Sequence, residues 1–137
     1  PEHVAGYESQ IRKLDIADRV IFMGRVPQTQ IGTLYETCDL MVYPSLCESF
    51  GFSMIEAMGH ALPIVAAGTA INRELCADGA LYYEPLSHKE AADRIQEALR
   101  FDVRARLIEG GQSRLNGYDW GWRRYAHDFV SLVGSVL

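Results

Sequence analysis

The stretch Asp39-Leu-Met-Val-Tyr-Pro-Ser-Leu-Cys-Glu48-Ser-Phe-Gly-Phe-Ser-Met-Ile-Glu56-Ala-Met58 changes its period part-way along. Residues 40–43 form a short run that is apolar on both faces, the pattern of a strand buried between two helical layers. Pro44-Ser45 opens a loop. The segment 51–60 then carries Phe52, Ile55, Ala57 and Met58 at helical spacing and ends before Pro63. Strand, loop and helix in that order make the repeating unit of an open α/β sheet. In such a sheet, ligands bind in the loops beyond the carboxyl ends of the strands.

The chemistry of this unit follows from its turn into helix. The first turn of a helix presents N–H groups without intrahelical partners, and the positive end of its dipole favours an anion by about 0.3–1 kcal/mol per charge at exposed sites. Gly51 permits close approach of a backbone. Glu48 precedes the helix and Glu56 lies about one and a half turns inside it. Carboxylates repel a diphosphate and accept from hydroxyls, so amides flanked by two acids suit a ligand with sugar hydroxyls on both sides of a diphosphate. A nucleotide sugar has that layout. The same two glutamates also have a plain structural reading, since acidic groups near a helix start stabilise the helix.

Outward from this unit the alternation repeats. Further strand candidates are 20–23, 63–66 and 80–83. Pro27 suits a first helical turn ahead of Ile31, Leu34 and Tyr35. Ser87 with Glu90 reads as a capping box, followed by a stripe of Ala91, Ala92, Ile95, Ala98 and Leu99. The tail from Asp102 has no strand signal and divides into two helices at Asn116-Gly117, a helix-stop pair. Asp119 is placed to cap the last helix, whose Trp120, Ala126, Phe129, Val130 and Val133 form a face to bury. Trp120 and Trp122 read as packing residues. The expectation is one domain over 1–137: a Rossmann-like α/β fold, a parallel sheet with helices on both faces.

Composition narrows the function classes. The chain has 137 residues, 48% of them hydrophobic, enough for one sizeable core without an internal linker. Lys and Arg total 13 against 18 Asp and Glu, a net charge of -5, and no basic track with interleaved aromatics points to nucleic acid. Cys38, Cys47 and Cys76 are scattered and odd in number, which fits a reducing compartment and small buried thiols. Neither a membrane-spanning apolar run nor a signal-peptide pattern occurs in the sequence, so a cytoplasmic location is expected, peripheral to a membrane only through regions outside this chain.

From Val20 onward the chain resembles the C-terminal domain of retaining glycosyltransferases of the GT-B fold. The resemblance rests on Val20-Ile-Phe-Met-Gly24 with Arg25-Val26, Leu34-Tyr35 before Cys38-Asp39, Tyr43-Pro44-Ser45, Glu48-Ser-Phe-Gly51-Phe, Glu56-Ala57-Met58, Leu62-Pro63-Ile-Val-Ala66, Glu74-Leu75 and Trp120. It implies transfer of a sugar from a nucleoside-diphosphate sugar to an acceptor hydroxyl with the anomeric configuration kept. Glu48 then corresponds to the family glutamate beside the donor sugar and is the candidate catalytic residue. Glu56 corresponds to the one that binds the ribose hydroxyls. Backbone N–H groups of Phe50, Gly51 and Phe52 are implied at the sugar, those of Ser53 and Met54 at the diphosphate, and Arg25 and Val26 at the nucleobase. No Asp-x-Asp pair is present, so neither a metal nor another cofactor is expected.

Two departures qualify the resemblance. Ala61 stands where many relatives have a glycine, and His60 before it reads as a helix-end residue rather than a catalytic one. Relatives also have an N-terminal acceptor domain and two further strands that carry a basic pair for the diphosphate. The sheet is therefore expected to be truncated at its N-terminal end, with donor binding as this chain's contribution and no activity in isolation. Arg12 and Lys13 are not assigned to the missing basic roles. The strands near Val20 and Leu40 would then flank a gap, which predicts rearranged pairing or association of two copies through an exposed edge. The alternatives are a non-catalytic interaction module that has lost its site, and a nucleotide-sugar epimerase of the same fold.

Overall fold

The structure is a computed structural model that describes residues 2–117 and 122–135, with Glu2, His3 and Trp122 described by their backbone alone. Asp119 and Trp120, and the side chain of Trp122, lie outside the described residues. The chain divides into two compact units, Pro1–Ile31 and Gly32–Leu137, and each is described by itself. In chain order the elements are α1 (Glu2–Lys13), α2 (Gln28–Thr37), β1 (Met41–Tyr43), α3 (Phe52–Gly59), β2 (Ile64–Ala67), α4 (Ala70–Cys76), β3 (Ala80–Tyr83), α5 (His88–Ala98), α6 (Phe101–Asn116) and α7 (Trp122–Gly134).

The second unit is built on β2. Parallel β1 and β3 pair on either side of it, in the order β1-β2-β3, with Met41 opposite Ile64 and Ile64 opposite Ala80. Successive side chains of a strand point to opposite faces, and β2 is buried throughout. Ile64 and Ala66 join Met54, Ala57 and Met58 of α3 and Leu75 and Cys76 of α4 in one core cluster. Val65 and Ala67 join Tyr83 with Ala98 of α5 and Val103 and Leu107 of α6 in the other. Helices thus cover both faces, as the alternation in the sequence implies.

Several elements depart from expectation. Residues 20–23 form no strand, and Ile21 is 84% exposed. The sheet among the described residues is the three strands above, with no rearranged pairing. Ser87 caps α5 by accepting from the Glu90 N–H at 3.4 Å. The reciprocal half of the box is missing, because the Glu90 carboxylate accepts from the Glu84 N–H at 3.0 Å instead. On that helix Ala91, Ile95 and Ala98 pack inward, while Ala92 and Leu99 are exposed. Gly117 ends α6 at φ -78, so the helix stops without the left-handed turn that the Asn-Gly pair suggests. Ala126, Phe129, Val130 and Val133 of α7 are exposed rather than buried. Of the three thiols, Cys76 alone is buried. No helix among the described residues is long and apolar enough to cross a membrane.

Candidate functional site

The loop after β1 and the start of α3 meet at Gly51, which adopts the left-handed conformation at φ 79. A Cβ there would lie 2.8 Å from Met54 Cε and 2.9 Å from Leu75 Cδ2. Two constraints therefore require glycine: the backbone sign and the lack of room against the core. The α3 N-terminus has no side-chain cap. Its first turn is tight, and the Met54 N–H donates to the Gly51 carbonyl at 3.0 Å. Met54 is consequently not available for an anion, contrary to expectation, and its side chain is fully buried. Among the described residues no protein acceptor faces the N–H groups of Gly51, Phe52 and Ser53. The ring centroids of Phe50 and Phe52 lie 4.4 Å apart on either side of Gly51 in sequence, the rings tilted by 30° and both exposed.

Each glutamate has a tyrosine. Tyr35 of α2 donates its hydroxyl to Glu56 Oε2 at 3.1 Å. Burial, and then this neighbouring carboxylate, push the Tyr35 phenol up to about 12. At the end of β1, burial and then Glu48 push Tyr43 likewise to about 12. Both phenols stay protonated over the physiological range and act as donors. Glu48 is held below the usual carboxylate range, first by the Ser45 hydroxyl and then by Tyr43, so it is an ionised acceptor. The Ser53 hydroxyl, in the first turn of α3, interacts with both tyrosines. Tyr35 and Glu56 form the hydrogen-bonded pair of the site, and Tyr43, Ser53 and Glu48 lie near enough to act on one another's ionisation.

The tyrosines are the part that sequence reasoning missed. Tyr35 reads there as an apolar-face residue of a helix and Tyr43 as part of a buried strand. The available signal was that each carries a hydroxyl that must be satisfied when partly buried. Arg25 and Val26 belong to the first unit, in the irregular stretch before α2, Arg25 exposed at a bend and Val26 half-buried. The cluster is assembled from the second unit alone. His60 follows α3, where its N–H meets the last-turn carbonyls of Glu56 and Ala57 and its ring pairs with Glu36 at 3.3 Å. A cavity of about 790 Å³ lined by Arg73, Tyr82, Arg106 and Glu109 shares no residue with the cluster.

Comparison with known proteins gives one consistent answer. The family described as glycosyl transferases group 1 matches residues 1–114. The O-antigen chain mannosyltransferase RfbU of Salmonella typhimurium is 30% identical over 137 residues, covering 99% of this chain and 36% of that protein. Among solved structures, the sucrose-phosphate synthase of Thermosynechococcus elongatus superposes with a TM-score of 0.80 at 25% identity, over 95% of this chain and 33% of that one. Anabaena Alr3699/HepE in complex with UDP and glucose superposes at 0.82 and 25% identity, over 98% and 37%. The chain therefore spans about a third of the length of each of these three proteins.

Proposed function

Since the chain belongs to the group 1 glycosyl transferases, we propose that residues 1–137 act as the donor-binding domain of an enzyme that moves a sugar from a nucleoside diphosphate to an acceptor hydroxyl with retention. The observation that carries this reading is the Tyr35–Glu56 hydrogen bond together with the amides of Gly51, Phe52 and Ser53, which meet no protein acceptor among the described residues. The diphosphate sits at the amides, the donor sugar at Glu48 and the ribose at Glu56. Tyr35 occupies Oε2 of Glu56, which leaves Oε1 for a ribose hydroxyl. Glu48, kept ionised by Ser45 and Tyr43, accepts from hydroxyls of the sugar.

As the glycosidic bond breaks, the leaving diphosphate gains negative charge. Fixed N–H donors stabilise that charge more than the ground state, which lowers the barrier. No protein nucleophile and no divalent metal enter this scheme. The acceptor is bound by other parts of the protein, so the isolated chain binds donor without turnover, and it acts in the cytoplasm. Relatives solved with UDP, and with UDP and glucose, support a nucleotide-sugar ligand.

Calorimetric titration with UDP-, GDP- and ADP-sugars tests the reading. One of them binds, EDTA leaves its affinity unchanged, and Glu56→Ala weakens it about tenfold, the loss of charge-assisted hydrogen bonds. Indifference to all three donor classes sinks the proposal.

A second reading is favoured by one observation: among the described residues β1 pairs only with β2, and Val42 on it is 43% exposed. An open edge of this kind is a template for a second copy of the chain. Concentration-dependent association without any nucleotide affinity would favour an interaction module over the transferase.

A further inference from the structure

Asn72 is the buried polar residue of the core, at 0% exposure among the described residues. Its side-chain amide nitrogen donates to the Ala67 carbonyl at the end of β2 at 2.9 Å and to the Ser45 carbonyl in the loop after β1 at 3.3 Å. The residue is itself fixed: Thr69 Oγ1 accepts its backbone N–H at 3.2 Å, and the Tyr82 hydroxyl, which donates chiefly to the Ala77 carbonyl at 2.7 Å, lies 3.4 Å from its carbonyl. Among the described residues its Oδ1 has no partner. The orientation of the amide is decided by its neighbours, because turning it over would set Oδ1 against two carbonyl oxygens that accept only. The protein leaves a buried acceptor unsatisfied and keeps both donors engaged, so the clamp between the two strand ends is what the position maintains.

Ser45, at one end of that clamp, lies three residues before Glu48, and its hydroxyl donates to the Cys47 carbonyl at 3.2 Å, which folds the loop immediately ahead of Glu48. Glu56, by contrast, is held from α2 by Tyr35. We propose that Asn72 is a positioning residue for the sugar side of the donor site, fixing the loop that carries Glu48 by tying the Ser45 carbonyl to the end of β2. This rests on the donor-site reading above and goes beyond it, since Asn72 touches no ligand there. Its removal affects recognition of the sugar and spares recognition of the nucleotide, a split that a general loss of packing does not produce.

The test is calorimetry on the whole chain with UDP against UDP-glucose and GDP against GDP-mannose, in wild type, Asn72→Leu and Asn72→Asp. In Asn72→Leu, affinity for the free diphosphate stays within about twofold, while the ratio of sugar-conjugate to free-diphosphate affinity falls about fivefold or more. In Asn72→Asp, the buried carboxyl is neutral at low pH and can donate one hydrogen bond, so that ratio moves back toward wild type between about pH 8 and about pH 5. A ratio that keeps its wild-type value, or both affinities falling in step, overturns the proposal. For variants that do not fold, the unaltered protein gives the answer by NMR. The Asn72 side-chain amide signals shift with the sugar conjugate and not with the diphosphate; the reverse overturns it. Wild-type protein that binds none of the four ligands removes the donor site itself, a result distinct from an unchanged ratio.

Discussion

Residues 64–67 and residues 20–23 are both four-residue apolar runs, Ile-Val-Ala-Ala and Val-Ile-Phe-Met, and they end in opposite situations. The first is β2, paired on both sides and buried at every position. The second forms no strand, with Ile21 84%, Phe22 49% and Met23 56% exposed. The second run has the larger side chains and would gain more from burial. Strand formation is thus decided by the availability of a neighbour, because a strand's N–H and C=O groups are satisfied only between chains segments that lie side by side. Composition states what a run can do, and topology decides whether it does.

The sharpest way to break this contrast is a charge. Val65→Asp puts a carboxylate at a fully buried position between Tyr83, Val103 and Leu107, and we expect a loss of more than about 4 kcal/mol, enough to prevent folding. Phe22→Asp should stay within about 0.5 kcal/mol of the parent. Expression and urea denaturation of the two variants measure the difference. Equal losses would mean that 20–23 is buried in the working protein.

Truncation gives the next largest effect. Ile64→Ala removes methyl groups from the α3/α4 side of the core and should cost about 2–4 kcal/mol. Ile21→Ala should again cost under about 0.5 kcal/mol. The ratio of the two losses, read from denaturant midpoints at constant m-value, reports how unequally the two runs share the stability of the fold.

The same distinction explains how much was legible in the sequence. Strands 40–43, 63–66 and 80–83 are found within a residue of their places because each is followed by a helix with a readable boundary, such as Ser87 before α5 and Pro63 after α3. The run 20–23 carries an equal local signal, and its partner lies outside anything a window of sequence can weigh. At the site, Glu48, Glu56 and the Gly51 helix start are legible because their spacing is local. Tyr35 and Tyr43 are not, since their meaning comes from contacts across 21 residues in the case of Tyr35 and Glu56. The Met54 amide is lost to a tight first turn, a detail of backbone geometry that side-chain chemistry does not encode.

Titration sharpens the contrast further, because the groups around the site and β2 hold displaced ionisations. Burial pushes the Cys76 thiol up to about 12, and burial with the adjacent carboxylates does the same for Tyr35 and Tyr43. Tyr82 is raised as well, chiefly by burial. A raised value means the folded state holds its proton more tightly than the unfolded chain. The stability is therefore fully present below the unfolded values of 9.0 for the thiol and 10.0 for the phenols, and is lost as pH climbs through about 12. Urea midpoints should hold level to about pH 9 and then fall. Cys76→Ala should delay the onset, and Tyr35→Phe with Tyr43→Phe should flatten the later part. A midpoint that rises across this window contradicts the burial assigned to these groups.

The smallest effect expected on stability concerns the outer edge of β1. Val42 is 43% exposed on a strand whose ladder partner among the described residues is β2 alone. Lysine on an edge strand opposes edge-to-edge pairing, since pairing would bring like charges together and desolvate them. Val42→Lys should therefore change monomer stability by no more than about 0.5 kcal/mol while abolishing any concentration-dependent association seen by sedimentation. If the parent associates and Val42→Lys associates equally, the contact is elsewhere, and the exposed side of α7 with Tyr125, Phe129, Val130 and Leu132 is the next surface to alter. A parent that stays monomeric at every concentration shows that an open edge three residues long is too short to recruit a second strand.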